Sequence, residues 1–341
     1  SDRKRNAANT KRREGAVMET RRLSGNGPLL TRFGLGMAAL GRPAYITLGH
    51  ADDLRQGRDV QSMEVNAHRM LDRAFAAGIR YFDAARSYGR AEQFLRSWID
   101  ARRIGTGAIM VGSKWGYRYT GDWQVDGRVQ EVKDHGLSML KAQLAESEAI
   151  LGPHLRLYQI HSATPETRVL LDEQVLDELR RLRERGLFVG VTATGTSQAE
   201  TIRKAMEIRF DGVRLFSTVQ ATFNLLERSA GPALREAHEA GLTVLVKEAL
   251  ANGRLTSKEG SGPLRAVAER LRATADAVAL SFVAREPWAD VILLGATTTA
   301  QLDSNLKAID LRLSPADLAV LDGLRVPAQD YWAHRTKLPW N

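Results

Sequence analysis

The feature that most restricts the fold of this chain is an alternation. Eight short apolar runs, at 33–40, 79–84, 108–114, 155–161, 187–193, 213–220, 242–248 and 290–296, are separated by stretches such as "MEVNAHRMLDRAFAAG" and "VLDELRRLRERG". The runs are rich in β-branched and aromatic residues, as strands are, and the stretches between them keep the spacing of amphipathic helices. Several of those stretches close on a glycine, where a left-handed C-cap is expected. Strict alternation of strand and helix implies parallel crossovers, and a count of eight makes one closed (β/α)8 barrel of the TIM type the simplest α/β architecture. An open doubly wound sheet is the competing solution. It loses ground because "GLGMAALG" lacks the G-x-G-x-x-G spacing after the first strand and no dinucleotide fingerprint occurs elsewhere. With 341 residues, 43% of them hydrophobic, the chain can bury such a core.

The repeat leaves two segments outside it, a stretch before residue 33 that reads as a short hairpin and a tail over 310–341. The net charge of +9 is uneven, because residues 1–22 hold eight basic side chains against three acidic ones. Residues 1–17 are therefore expected to form a flexible basic arm ahead of a single barrel domain at 18–341. No aromatic interleaving or binding motif accompanies that charge, so no specific nucleic-acid partner is expected. No run has the length of a membrane span or the layout of a signal peptide, and the chain has no cysteine, which together fit a cytoplasmic protein without membrane partners. The seven histidines and the carboxylates show no ligand spacing, so no metal site is expected.

Barrel geometry pools the polar residues at the C-terminal ends of the strands into one mouth. In chain order these are Asp83 and Tyr88 after the second strand, Lys114 ending the third and His161 ending the fourth. Taken alone, Asp83 reads as a cap for the helix beginning near Arg90 or as a turn anchor, and Tyr88 as a packed ring. As a set on three adjacent strands they suit carbonyl reduction. Hydride arriving at a carbonyl carbon leaves charge on oxygen, so a proton donor must stand there. A phenol is a weak acid near neutrality, an ammonium beside it would lower its pKa, and a carboxylate would aim the ammonium. His161 would orient the carbonyl oxygen.

Through "YFDAARSYGRAE", "VGSKWG", "YQIHSA", "STVQATFNLLE", "ALANGRL" and "LLGATTTAQLDSNL", residues 25 to 325 resemble the aldo-keto reductase family. The resemblance implies a (β/α)8 barrel, a nicotinamide dinucleotide bound across its mouth and a catalytic tetrad that maps onto Asp83, Tyr88, Lys114 and His161. It also implies cofactor contacts by Gln220 on the nicotinamide amide, by Leu250 and Gly253 in a phosphate-wrapping loop, and by Gly295, Thr297, Thr298, Gln301 and Asn305 in the adenosine segment. Thr192 stands for a family serine, and Ala193 stands where an asparagine is usual. Lys247 stands where an aromatic commonly stacks on the nicotinamide, and Thr297 where a basic residue often holds the 2′-phosphate. The implied cofactor is NADPH, with NADH as the alternative.

The long connection after the first strand contributes Tyr45 and His50 near the mouth, Trp115, Tyr117, Tyr119 and Trp123 follow Lys114, and "YWAHRTKLPW" in the tail is placed to fold over the opening. An aromatic-lined pocket suits a small cyclic or partly apolar carbonyl substrate; the same rings also read as loop packing. The expected activity is NAD(P)H-dependent reduction of an aldehyde, ketone or imine with Tyr88 as general acid. Two other readings share these residues: an NAD-dependent sugar dehydrogenase running the chemistry toward oxidation, and a barrel that uses the tetrad for lyase, isomerase or regulatory purposes.

Overall fold

A computed structural model describes residues 18–126, 129–256 and 262–341. Each apolar run supplies a strand to one closed parallel barrel: β1 (Phe33–Gly36), β2 (Tyr81–Asp83), β3 (Met110–Trp115), β4 (Leu155–Ala163), β5 (Phe188–Ala193), β6 (Thr218–Thr222), β7 (Thr243–Lys247) and β8 (Val291–Leu294). Chain order is also the order around the ring, and β8 pairs with β1 with Ile292 opposite Phe33. Closure leaves the barrel without an unpaired edge. The expected arm at 1–17 lies outside the described residues.

One strand is placed differently from its apolar run. Of residues 213–220, Val213–Arg214 turns back to pair antiparallel with Arg209–Phe210, and the barrel strand begins only at Thr218. Asp211 and Gly212, with φ of 48° and 77°, form the tight turn that an Asp-Gly pair favours in a two-residue hairpin. The turn captures the start of the run before the barrel does.

The helices α1 (Val60–Ala76), α2 (Ala91–Arg102), α3 (Leu137–Leu151), α4 (Glu173–Glu184), α5 (Gln198–Glu207), α6 (Gly231–Glu239), α7 (Gly262–Arg270), α8 (Ala275–Ala284) and α9 (Thr299–Leu306) lie along the chain between and after the strands. In α1, Met63, Ala67, Met70, Leu71 and Ala74 are buried at helical spacing, and Asp59 caps its start by accepting the Ser62 amide at 3.0 Å. Helix α8 is buried on every side from Ala275 to Val283, because the tail also covers it: Ser281 Oγ donates to the Leu311 carbonyl at 3.1 Å. The tail forms α10 (Pro315–Asp322) and α11 (Ala328–Arg335).

The hairpin of Thr20–Arg22 and Leu29–Thr31 stops the N-terminal end of the barrel. Its Leu23 and Leu30 pack with Tyr81, Met110, Leu157, Leu245, Val291 and Leu293 in a cluster separate from the core between barrel and helices. Full burial of such side chains stabilises by about 1.5–3 kcal/mol each. The Tyr81 ring needs room inside the barrel, and two glycines leave it: a Cβ on Gly112 would lie 2.4 Å from the Tyr81 hydroxyl, and one on Gly34 would lie 2.8 Å from its ring. This plugged floor leaves only the opposite mouth open for chemistry.

Candidate active site

Strand alternation turns Tyr81 and Asp83 of β2 inward and sends Phe82 outward against Trp98, with ring centroids 5.6 Å apart. Asp83 therefore stands directly above the Tyr81 phenol, which donates to its Oδ1 at 3.0 Å. Gln159 of β4 and Gln220 of β6 each donate to the same oxygen at 3.3 Å. The other oxygen forms a buried ion pair with the Lys114 ammonium from β3. Lys114 also reaches the Ala84 carbonyl at 3.0 Å and the Tyr88 hydroxyl at 3.3 Å, which accounts for its three donors. The helix-cap reading of Asp83 is excluded, because α2 begins after Arg90 with no side-chain cap.

Tyr88 is carried on a turn that two glycines press against the loop after β1. Gly89 has φ of 57°, and a Cβ there would lie 2.4 Å from the Gly41 carbonyl; a Cβ on Gly41 would lie 2.2 Å from the Tyr88 carbonyl. The Arg90 amide closes the contact by donating to Gly41 at 2.7 Å. Arg42, the next residue, is buried with its guanidinium 5.2 Å from the Tyr88 and Tyr45 ring centroids and 4.7 Å from that of Trp340. It donates to the Ser87 carbonyl and to Glu131, each at 2.9 Å.

His161 is aimed by an irregularity in β4. The β4–β5 register shifts between Ile160 and Ala163, and Ser162 takes a left-handed φ of 56° while its amide donates to Thr192 Oγ1 at 2.6 Å. His135 Nε2 donates to the His161 carbonyl at 2.8 Å, which fixes the His135 tautomer. The His161 ring meets Tyr88 edge-on at 5.4 Å, with Nδ1 3.4 Å from Ser87 Oγ.

The electrostatics differ in one respect from the sequence expectation. Burial raises the Tyr88 phenol well above its usual range, the Asp83 charge adds to this, and the Arg42 guanidinium opposes them without reversing the shift. Burial and the Asp83 charge together keep the phenol protonated. Burial, followed by the charges of Lys114, Arg42 and Lys247, lowers His161 well below its usual value. A neutral imidazole therefore stands beside a protonated phenol at neutral pH.

All of this opens into one cavity of about 570 Å³ whose wall runs from Asp83, Tyr88, His161 and Gln220 to Gly295, Thr297, Gln301 and Asn305. A sequence model of the aldo/keto reductase family matches residues 46–326. The chain belongs to this family. It is an oxidoreductase, of a family that uses nicotinamide cofactors and binds small carbonyl compounds. Among curated relatives, protein tas of Escherichia coli is 25% identical over 322 residues, covering 77% of this chain and 90% of its own. The norsolorinic acid reductase of Emericella nidulans is 24% identical over 281 residues, covering 74% and 70%. A holo-form aldo-keto reductase from Bacillus halodurans shares the fold with a TM-score of 0.66 at 20% identity, over 90% of this chain and 96% of that one.

The lining of the enzyme's cavity suits a nicotinamide dinucleotide. A Cβ added to Gly295 would meet nothing within 4 Å, so the backbone after β8 borders an open groove. Leu250, Gly253, Thr297, Gln301 and Asn305 line that same cavity, as does Lys247, which donates to Thr222 Oγ1 at 3.0 Å. Two residues of the expected cofactor set are placed elsewhere. The Thr192 hydroxyl is turned to the Ser162 amide and Thr194 lines the cavity in its stead; Thr298 caps α9 by accepting the Gln301 amide at 3.2 Å. Of the aromatics considered, Tyr45, Tyr117 and Trp340 reach the cavity, whereas Trp115 is buried against His135 and His50 is buried behind the wall.

Several wall residues carry no motif and were not identified from the sequence: Arg42, Glu131, Asp276, Glu248, Arg335 and Asp53. Asp53 Oδ2 accepts from Thr297 Oγ1 at 3.1 Å and from Gln301 Nε2 at 2.7 Å. The local signals were the unusual length of the loop after β1, which delivers Arg42 and Asp53, and the tail segment that carries Arg335.

Proposed function

We propose that the enzyme reduces an aldehyde, ketone or imine by hydride transfer, with Tyr88 as the general acid. The observation that carries this reading is the unbroken chain Asp83–Lys114–Tyr88, with His161 beside it on one cavity wall. The dinucleotide, when bound, supplies the hydride; Gln220, Leu250, Gly253, Gly295, Thr297, Gln301 and Asn305 would hold it. NADPH is the implied form, and NADH is the alternative favoured by the Asp53 carboxylate on Thr297 and Gln301.

Tyr88 delivers its proton to the substrate oxygen or nitrogen as negative charge develops there. Lys114, bonded to the phenol oxygen and anchored by Asp83, stabilises the phenolate that remains. His161, neutral because burial disfavours its cation, donates a hydrogen bond to the same substrate atom and sets its orientation. In the oxidative direction the same groups act in reverse, which is the sugar-dehydrogenase alternative.

The test is Tyr88→Phe. Turnover should fall by about two powers of ten or more while dinucleotide affinity, read by quenching of tryptophan fluorescence, stays close to wild type. Retention of most activity would remove Tyr88 as proton donor. Failure of the wild type to bind either dinucleotide would remove the redox reading altogether.

A further inference from the structure

Beside the tetrad, the cavity wall holds two cations, Arg335 and Lys247, and one carboxylate, Glu248. Glu248 follows β7 with a left-handed φ of 54° and is gripped by Arg335, whose Nε lies 2.9 Å from each of its oxygens. Lys247 sends its ammonium to Thr222 Oγ1 at 3.0 Å, and that hydroxyl donates onward to Glu248 Oε2 at 3.2 Å. Arg335 and Glu248 neutralise each other, so the Lys247 charge is left in excess. The neighbouring cations are matched, Arg42 by Glu131 and Lys114 by Asp83. Lys247 is in salt-bridge contact with no carboxylate among the described residues, and an ammonium offers three donors where Thr222 takes one.

The position of this ammonium matters as much as its charge. Lys247 lines the same cavity as Asp83, Tyr88 and His161, and its charge is felt at His161. Burial lowers it to about 8; Glu248 and Asp83 act to raise it, and Arg335 and Lys114 to lower it, so it is cationic at neutral pH and loses its charge as pH rises through 8. The same cavity is also lined by Tyr45, Tyr117 and Trp340. A ligand with a carboxylate and an apolar body would satisfy the unmatched charge and the rings together.

We propose that Lys247 anchors an anionic group, a carboxylate on the carbonyl substrate, so that the enzyme prefers aldehydes or ketones bearing a carboxylate over their neutral counterparts. The inference rests on the carbonyl-reductase reading above. A dinucleotide phosphate carries similar chemistry, and the experiment separates the two sources.

Specificity constants are measured for 4-carboxybenzaldehyde and its neutral methyl ester, together with calorimetric titration of the full chain by benzoate and benzamide. The wild type should favour the carboxylate member of each pair, and the preference should fade as pH is raised past 8. Lys247→Met, which keeps the length of the side chain, should cost the carboxylate aldehyde and benzoate at least about tenfold, with the ester and benzamide affected far less. Lys247→Arg should restore much of the preference. An equal loss for both aldehydes overturns the proposal, as does a loss confined to dinucleotide affinity with benzoate unchanged, which would assign the ammonium to phosphate. If Lys247→Met does not fold, a wild-type carboxylate preference that stays constant from pH 7 to pH 9.5 overturns it equally. If neither aldehyde is reduced but benzoate binding depends on Lys247, the anchor stands and the reductase reading falls.

Discussion

Arg335→Gln tests the claim that the tail is pinned to the barrel mouth by charge. In the native protein the Arg335 and Glu248 side chains are 20% and 8% exposed, and Nε bonds both carboxylate oxygens at 2.9 Å. Burial pushes the Glu248 carboxyl up, but Arg335 and then Lys247 outweigh it, and the group sits at about 2 where 4.5 is usual. A depression of roughly 2.5 units at 1.36 kcal/mol each is worth about 3 kcal/mol, and removing one partner of a buried pair costs a similar about 3–5 kcal/mol. Spread over an unfolding entropy of roughly 2.1 cal/mol/K per residue, about 3 kcal/mol lowers the Tm of this chain by about 4 °C. The sign with pH follows from the direction of the shift. The stabilisation from Glu248 is fully present above its ordinary pKa and is lost as pH falls through its folded value, whereas in Arg335→Gln the orphaned carboxylate is relieved by protonation. Calorimetric scans should therefore show the gap between wild type and variant narrowing from pH 7 to pH 4. Combining Arg335→Gln with Glu248→Gln should recover part of the loss. A change below about 1 °C at pH 7, or a gap that does not depend on pH, would refute the argument.

Gly41→Ala should reduce turnover by roughly tenfold or more and destabilise by about 1–3 kcal/mol, since its Cβ would lie 2.2 Å from the Tyr88 carbonyl; steady-state kinetics and a urea melt read both. Tyr81→Phe removes one of the donors to Asp83 and should cost about 1–3 kcal/mol of stability, measured by urea titration, with no change in cavity shape. Asp53→Asn should tighten NADPH over NADH by about fivefold at low salt, and less at high salt, as judged by fluorescence titration of both dinucleotides; equal effects on the two would place Asp53 away from the 2′ position. His161, held neutral by burial, should contribute no inflection near pH 6.5 to kcat; NMR titration of its ring would contradict this if it protonated at that pH.

The barrel was legible in the sequence because its signal is local and repeated: each buried strand is a short apolar run, helices such as α1 and α4 carry a 3.6-residue stripe, and eight alternations admit few topologies. That Asp83, Tyr88, Lys114 and His161 would meet at one mouth was legible for the same reason. Asp83, Lys114 and His161 sit at strand ends, and the closure of the barrel brings strand ends together whatever the loops do. Where a local competitor was stronger, the pattern misled, as at Asp211-Gly212, whose turn takes Val213 and Arg214 out of the sixth strand. What the sequence could not supply is the surroundings of each charge. Nothing in "GRPAY" states that Arg42 will stand over Tyr88 and be matched by Glu131, and nothing in the tail states that Arg335 will meet Glu248, 87 residues away. These pairings depend on which loops cross the mouth and on side-chain directions that only the packed chain fixes. They decide that Tyr88 is raised, not lowered, that the Thr192 hydroxyl faces a backbone amide instead of the cavity, and that Lys247 is the cation left over. Local periodicity determines where a strand ends, but a pKa depends on every charge and every desolvated surface around the group, and those are assembled only when distant segments meet.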